Sequence, residues 1–333
     1  MKVGYAVLYI DGTLVISKNH TLLQKRIIKD YGAFEDISVP WKNETSKIKK
    51  VQILDQIKSN CVKEWFKGCI NLTTLINFKN LDVSDCVDFS CMFANCESLQ
   101  DLNELENLNI TNGTDFSSMF YNCTSLQNIN ALQIWNIVNG INFMDMFNHC
   151  HSLQDLNGLQ NWNVSNGIYF SSMFASCKSL QDLNGLENWN VSNGTDFGSM
   201  FYNCKSLQDI NALKNWNISN GIDFSRMFAY CETLQDINEL EKWNVSNGKD
   251  FISMFKYCKS LQNLNALKNW NVSNGMNFSF MFEYCILLKE ISLSNTLDIL
   301  KKEMFYQCNP NLKIHWNEHT YTYADLLEYE KIY

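Results

Sequence analysis

A single frame, F-x-x-M-F-x-x-C-x-S-L-Q, returns every 27 residues through most of this 333-residue chain. Its second aromatic residue recurs at one position, with a degenerate earlier copy at Phe66 and a shortened last copy at Phe305: Phe93, Phe120, Phe147, Phe174, Phe201, Phe228, Phe255 and Phe282. A fixed period of this length is typical of repeat proteins, because each copy can bury its apolar face only against its neighbours. The frame therefore predicts a solenoid.

Within one copy, the spacing of the apolar residues predicts a short helix followed by a short strand. Four apolar residues stand at i, i+3, i+4 and i+7: Phe170, Met173, Phe174 and Cys177. This spacing places four side chains on one face of two helical turns. Residues 179–184 alternate between apolar and polar towards their end, which suits a strand. We therefore expect an α/β solenoid, a right-handed stack of about ten strand–helix repeats.

The open ends of such a stack need caps, because they would otherwise expose apolar surface and unpaired strand edges. Two predicted strands, 4–10 and 13–17, form a hairpin near the start of the chain. We expect an N-terminal cap that contains this hairpin at 1–58 and the repeat solenoid at 59–285. A degenerate last repeat and a C-terminal strand and helix cap are predicted at 286–333.

The thirteen cysteines follow the repeat instead of being scattered as in a disulfide scaffold. Ten occupy one position: Cys69, Cys96, Cys123, Cys150, Cys177, Cys204, Cys231, Cys258, Cys285 and Cys308. On an inward face a cysteine behaves as a small apolar residue, so buried free thiols are expected. Disulfides or a metal between neighbours stay open as alternatives. Cys61, Cys86 and Cys91 lie outside the repeated position and are the expected reactive thiols.

Charge and motifs exclude several classes of function. Residues 1–60 carry ten Lys and Arg against six Asp and Glu, and the rest of the chain carries seventeen against twenty-nine, so the repeats are acidic. An acidic solenoid repels phosphate, so we expect no nucleic-acid partner. No apolar run is long enough to span a membrane. Histidines do not recur with the frame and no catalytic motif is present, so neither an enzyme nor a cofactor is predicted.

The repeated core M-F-x-x-C-x-S-L-x-x-L, preceded by W-N-V-S-N-G, resembles the BspA-type leucine-rich repeats of bacterial and protist surface proteins. The resemblance covers roughly residues 60–310, and segments at both ends are similar to those that flank such arrays. It implies a leucine-rich-repeat fold and adhesion at a cell surface, with a protein or glycan on a cell or matrix surface as partner. The start of the chain shows no signal peptide, so cytoplasmic or virion-associated locations stay open.

Two sets of side chains are candidates for partner binding, because solenoids usually bind through surfaces that many repeats build together. The first is a polar, acidic row: Asp101, Gln154, Asp155, Gln181, Asp182, Gln208, Asp209 and Asp236. The second is a run of tyrosines in successive copies: Tyr230, Tyr257 and Tyr284. A solvated polar face, a calcium site in the acidic row, and drift between copies are the competing interpretations.

The sequence thus predicts a non-enzymatic, adhesin-like binding protein that engages its partner through a long acidic face. A structural role is the alternative, in which the solenoid is a spacer or a component of an assembly such as a virion appendage or a filament. A monomer is favoured over an end-to-end assembly.

Overall fold

The computed structural model describes residues 2–294 and 300–329, so residues 295–299 of the predicted last repeat lie outside the described residues. The chain divides into two compact units, Met1–Val164 and Ser165–Tyr333. Each unit contains several copies of the 27-residue repeat together with a small sheet at its terminal end. A repeat solenoid fold is therefore present in each unit.

The first unit opens with a five-stranded sheet and a separate pair of short strands. The strands of the first unit are β1 (Lys2–Tyr9), β2 (Thr13–Ser17), β3 (Ile27–Glu35), β4 (Lys50–Ile53), β5 (Ile57–Lys58), β6 (Thr74–Ile76) and β7 (Leu81–Asp82). The five-stranded sheet has the order β3-β1-β2-β4-β6, and β5 pairs with β7. β1 runs antiparallel to β2 and β3, whereas β2, β4 and β6 are parallel. The predicted hairpin is confirmed, and Gly12 at φ +83° makes its turn.

The N-terminal sheet is joined to the first repeat through buried aromatic side chains. Trp41 is fully buried, and its indole N–H donates a hydrogen bond to the carbonyl of Trp65. Its ring lies edge-on to Trp65 at 6.1 Å and parallel to Phe66 at 6.3 Å. Such pairs contribute about 0.5–1.5 kcal/mol beyond the area that they bury. The segment around Trp41 therefore closes the end of the apolar core in this unit.

The predicted helix of each repeat is wrong, because the F-x-x-M-F-x-x-C segment is a chain of tight turns. In the copy that begins at Phe170, φ is +56° at Ser172 and +60° at Ser176, and an α-helix does not continue through left-handed residues. The N–H groups of alternate residues close turns on the carbonyl three residues earlier: Met173, Ala175 and Cys177. The intervening residues donate to the next repeat at 2.6–2.9 Å: Phe170, Ser172, Phe174 and Ser176.

The apolar spacing itself was interpreted correctly, since all four side chains predicted to face the core are buried. An α-helix would use every amide inside one segment, at the carbonyl four residues earlier. Here the neighbouring repeat supplies carbonyl acceptors for every second amide, so the segment forms these hydrogen bonds instead of a helix. Contacts between repeats therefore override the local preference that the spacing indicates.

The predicted strand of each repeat is reduced to isolated bridges and short 3₁₀ turns between residues 83 and 289, all of which the structure describes. Parallel bridges include Asp88 to Asp115 in the first unit and Asp196 to Asp223 in the second. The 3₁₀ segments of the first unit are Thr45–Lys47, Phe78–Asn80, Asn103–Leu105, Asn130–Ile134 and Asn157–Leu159. Those of the second unit are Asn211–Asn215, Asn238–Lys242, Asn265–Asn269 and Lys302–Phe305.

Equivalent side chains of successive repeats lie over one another in the core of each unit. In the second unit the first phenylalanines of the frame stack at 5.2–5.8 Å between ring centroids: Phe170, Phe197, Phe224, Phe251 and Phe278. The tryptophans donate their indole N–H to the preceding repeat, as Trp216 does to the carbonyl of Leu186 at 3.0 Å. These contacts bury the ring and satisfy its one polar group together.

The buried thiols of the repeated cysteines are confirmed, and eight of them donate a hydrogen bond to a carbonyl of the preceding repeat. The sulfur of Cys204 donates to the carbonyl of Phe174 at 3.1 Å, and Cys123 donates to Phe93 in the first unit. Burial raises the pKa of both thiols to about 12. Cys86, expected to be reactive, is instead fully buried, and burial raises its pKa to about 12. Its thiol donates to the carbonyl of Asp88 at 3.3 Å.

The second unit ends in a three-stranded sheet and a helix. Its elements are β8 (Glu290–Ser292), β9 (Lys313–Trp316), β10 (His319–Thr322) and α1 (Tyr323–Tyr329), with the strands in the order β10-β9-β8. Thr322 and Asp325 cap the helix reciprocally, each side chain bonding the backbone N–H of the other. The predicted closing strand and helix are confirmed, whereas the boundaries at 58/59 and 285/286 stay predictions. Across the described chain, no helix has the length and apolarity to cross a membrane.

Replacing Ser199 by glycine tests the turn structure, because the sign of the change in the free energy of unfolding differs between a turn and a helix. Ser199 has φ +57°, where a side chain costs about 1–2 kcal/mol, so Ser199→Gly should raise the free energy of unfolding by about 0.5–1 kcal/mol. The matched control is Ser225→Gly, at a position without positive φ, which should lower it by a similar amount. Urea unfolding measures both. Equal losses from the two variants would instead support a helix.

Thiol titration tests the burial of the cysteine row. With the protein folded at neutral pH, an aromatic disulfide reagent should modify Cys61 and Cys91, which are the partly exposed cysteines. Cys91 should react more slowly, because burial raises its pKa. All thirteen thiols should react once the chain is unfolded in guanidinium. Rapid modification of a row member such as Cys204 in the folded protein would contradict the structure.

Candidate interaction surfaces

The predicted acidic row lies on the surface at the point where each repeat enters its 3₁₀ turn. In the first unit, one carboxylate oxygen of Asp101 accepts the N–H of Asn103, and Asp155 accepts that of Asn157. Gln154 precedes Asp155 and is exposed. Each aspartate therefore has a local structural task, which is to satisfy an amide at the start of the turn.

In the second unit the same arrangement occurs in three consecutive repeats, and we call Asp182, Asp209 and Asp236 with their neighbouring glutamines the acidic stripe. Each carboxylate accepts the N–H of the asparagine two residues later, at 2.7–3.3 Å. The carbonyl of Gln181 accepts the N–H groups of Gln208 and Asp209, so backbone pairing holds two repeats together here. Gln181 and Gln208 are exposed.

The negative charge of the stripe is not needed for the turn. Asn128 in the first unit and Asn263 in the second occupy the same repeat position, and their amide oxygens accept the equivalent N–H at 2.9 Å. An amide oxygen therefore serves as well as a carboxylate. Like charges on neighbouring repeats repel one another, so the charge of the three aspartates is slightly unfavourable for folding.

The structure contains a second row of aspartates that the sequence analysis did not predict as a site. Asp196, Asp223 and Asp250 lie at the parallel bridges of the second unit, and each carboxylate accepts an N–H two residues later. Burial raises the pKa of Asp196, and the charge of Asp223 adds to the shift. The signal was an Asp or Asn directly before the first phenylalanine of most copies. Within the part of the chain that the structure describes, no group of three or more His, Cys, Asp or Glu is placed to hold a metal.

The three predicted tyrosines come together as a stack in the second unit. The ring centroids of Tyr230 and Tyr257 are 4.7 Å apart, and those of Tyr257 and Tyr284 are 4.2 Å apart. Tyr202 meets Tyr230 edge-on at 5.4 Å. A hydrogen bond with Tyr257 raises the pKa of Tyr284, so the hydroxyls of these two residues are close. Tyrosines one repeat apart therefore form a continuous aromatic column.

Charged side chains surround this column. The ammonium of Lys256 lies 2.6 Å from the carboxylate of Glu283 and 5.9 Å from the ring of Tyr257. Burial disfavours the charged form of Lys256, but the hydrogen bond and charge of Glu283 outweigh it and raise its pKa. The ammonium of Lys259 lies 5.5 Å from the Tyr257 ring and 2.8 Å from Glu232. The sequence analysis missed both lysines, because Lys259 stands where other copies carry Lys178 and Lys205, and the repeat pattern alone does not bring it to Tyr257.

The comparisons with known proteins concern most of the chain. A family model described as Mycoplasma protein of unknown function, DUF285, matches residues 35–157, 128–239 and 209–316. No curated protein matches. The match agrees with the resemblance to BspA-like repeats found in the sequence, since overlapping copies of one model cover the repeated region.

Three solved structures are similar over nearly their full lengths. A leucine rich cell surface protein from Faecalibacterium prausnitzii A2-165 has a TM-score of 0.34 and 17% identity, and the alignment covers 95% of both chains. A leucine-rich repeat protein from Bacteroides ovatus ATCC 8483 has a TM-score of 0.25 and 15% identity over 95% of this chain and 98% of that one. A leucine-rich repeat protein from Eubacterium ventriosum ATCC 27560 has a TM-score of 0.35 and 13% identity, covering 96% and 99%. Superpositions this loose place no site on the chain.

Two substitutions at Asp182 separate its turn from its charge. Asp182→Asn keeps the acceptor for Asn184 and removes one of three like charges, so it should raise the free energy of unfolding by about 0.2–0.5 kcal/mol. Asp182→Ala also removes the acceptor and should lower it by about 1 kcal/mol. Thermal unfolding at low salt measures both. If the two variants behave alike, the carboxylate does not hold the turn.

Proposed function

The chain belongs to the family described as Mycoplasma protein of unknown function, DUF285, and from this starting point we propose that it is a non-enzymatic, adhesin-like binding protein. Its partner is a protein or glycan on a cell or matrix surface that presents basic groups. The acidic stripe of the second unit is the proposed contact. The resemblance to BspA-type repeats supports a location at the cell surface, and the right-handed stack of about ten repeats belongs to the same proposal.

The observation that carries this proposal is the repetition of a surface carboxylate, exposed at Asp209 and half-buried at Asp182 and Asp236, where an uncharged side chain would serve. Asp182, Asp209 and Asp236 hold turns that Asn263 holds equally well without charge. Their mutual repulsion is relieved when a cation or a basic partner binds. Because each aspartate is anchored at one oxygen by the same turn, the stripe is held in place before the partner arrives, which lowers the entropy lost on binding.

Electrostatics also determines which partners the stripe can accept. The chain has a formal net charge of −8, concentrated after residue 60. A field of this sign attracts basic partners, accelerates their encounter at low salt, and repels polyanions. Binding should therefore weaken as the ionic strength rises.

A charge-matched pair of triple variants tests the stripe. The probe is a lysine-rich peptide, with affinity measured by fluorescence anisotropy at several salt concentrations. Asp182→Asn, Asp209→Asn and Asp236→Asn together should weaken binding about tenfold and flatten its salt dependence, because the contact charges are gone.

The control removes the same number of charges elsewhere. Glu106→Gln, Glu318→Gln and Glu328→Gln change three exposed carboxylates outside the stripe and should alter the affinity less than about twofold. Equal weakening by both triple variants would mean that only net charge matters, and the stripe would not be the site. Self-association that grows with protein concentration would favour the structural, assembly-forming alternative.

A further inference from the structure

We propose that the tyrosine column belongs to a second docking surface, which binds an acidic protein segment that carries apolar side chains at one end. This surface, the aromatic–basic face, comprises Tyr230, Tyr257, Tyr284, Lys256, Lys259 and Phe280. It lies within the second unit and is distinct from the acidic stripe. The inference goes beyond the proposed function, because it assigns another surface and a partner of opposite charge.

The aromatic residues of the aromatic–basic face depart from the repeat at positions with left-handed backbone. Tyr230, Tyr257 and Tyr284 have φ of +60° to +64°. Three earlier copies carry asparagine at the equivalent position, which tolerates this conformation far better than a bulky aromatic: Asn95, Asn122 and Asn203. Phe280, at φ +61°, replaces a serine found in most other copies. Bulky residues are thus retained where the backbone disfavours them, as is common at functional sites.

The stacking decides which part of each tyrosine a partner can reach. Tyr257 has Tyr230 on one side and Tyr284 on the other, at 4.7 and 4.2 Å. Its ring faces are therefore covered and cannot stack on a base or a sugar. What remains is the ring edge and the hydroxyl, and the edge of an aromatic ring carries partial positive charge. A column of such edges and hydroxyls favours carboxylates.

The charges beside the column also favour an acidic partner. Three lysines form ion pairs beside the column with two carboxylates: Lys205, Lys256 and Lys259, with Glu232 and Glu283. Glu232 binds both Lys205 and Lys259, at 2.9 and 2.8 Å. These three lysines exceed the two carboxylates by one positive charge, so an acidic segment meets less repulsion here than along the two acidic rows of the same unit.

One margin of the face is apolar, and this feature selects a protein segment among anionic partners. Phe280, Ile286 and Leu287 are 36%, 47% and 48% exposed, whereas most other copies carry polar residues at these three positions. The Lys256 ammonium lies 5.6 Å from the Phe280 ring, which joins the margin to the charged part. Clustered exposed apolar side chains indicate an interaction site. Nucleic acids and sulfated glycans carry no large apolar side chains that could cover these residues, whereas an acidic peptide with leucine or phenylalanine does.

Variants that restore the residues of other copies test the face without threatening the fold. The probe is a fluorescent peptide with a run of glutamates followed by leucine and phenylalanine. Tyr257→Asn with Tyr284→Asn should weaken its binding about tenfold, as loss of central aromatic anchors does. Phe280→Ser with Leu287→Ser should weaken binding of this peptide, but not of a peptide whose apolar residues are replaced by serine.

The matched control is Tyr169→Asn, which replaces an exposed tyrosine of the second unit outside the column by the residue that the copy at Asn142 carries. It should leave the affinity unchanged. The thermal midpoint of the Tyr257 and Tyr284 variant should not fall, because asparagine tolerates the positive φ. Unchanged affinity with a lower midpoint would assign the column to folding and overturn the proposal. Equally tight binding of single-stranded DNA or a heparin fragment would overturn it too, since the face would then be a general polyanion site.

Discussion

The structure depends on the way each repeat shares its backbone amides with its neighbour. In the F-x-x-M-F-x-x-C segment every second N–H closes a turn inside the repeat, and the others donate to the next repeat, as Phe174 does to Met200 at 2.9 Å. Neither the hydrogen bonds within a repeat nor those to the next repeat would satisfy all the amides alone, and a buried amide without a partner costs about 1–3 kcal/mol. Left-handed residues at regular intervals make the alternation possible, since each one redirects the chain. The repeat is therefore stable only beside another repeat.

This alternation also explains why equivalent side chains form columns. Backbone pairing at a constant offset places phenylalanine over phenylalanine, indole over indole and thiol over thiol within each unit. The polar atoms of the core take part, because the Trp243 indole and the Cys231 thiol both donate to carbonyls of the preceding repeat. A core built in this way leaves the outward positions free to vary. The two candidate surfaces differ in origin for that reason.

The acidic stripe arises from repetition, whereas the aromatic–basic face arises from departures. Asp182, Asp209 and Asp236 follow from one turn that is copied with its aspartate, so their alignment comes with the fold. Tyr257 and Lys256 occur where copies differ, and Tyr257 occupies a position that an asparagine would suit better. Under the two proposals, the second unit binds basic partners at the stripe and acidic partners at the aromatic–basic face. Repetition thus produces a uniform row of aspartates, and divergence between copies produces the aromatic and basic side chains of the other surface.

Much of the fold follows from the sequence, because a 27-residue period and its apolar positions determine which side chains are buried in a stack. The N-terminal hairpin, the closing helix and the buried thiols such as Cys204 could all be predicted from local patterns. The helix of each repeat could not, because i, i+3, i+4, i+7 spacing fits a helix and a chain of turns equally well. Only the neighbouring repeat decides between them, by offering acceptors to alternate amides. Tertiary structure likewise decided the contacts of Tyr257 with Lys256 and Lys259, since side chains from different copies meet only once the repeats are stacked.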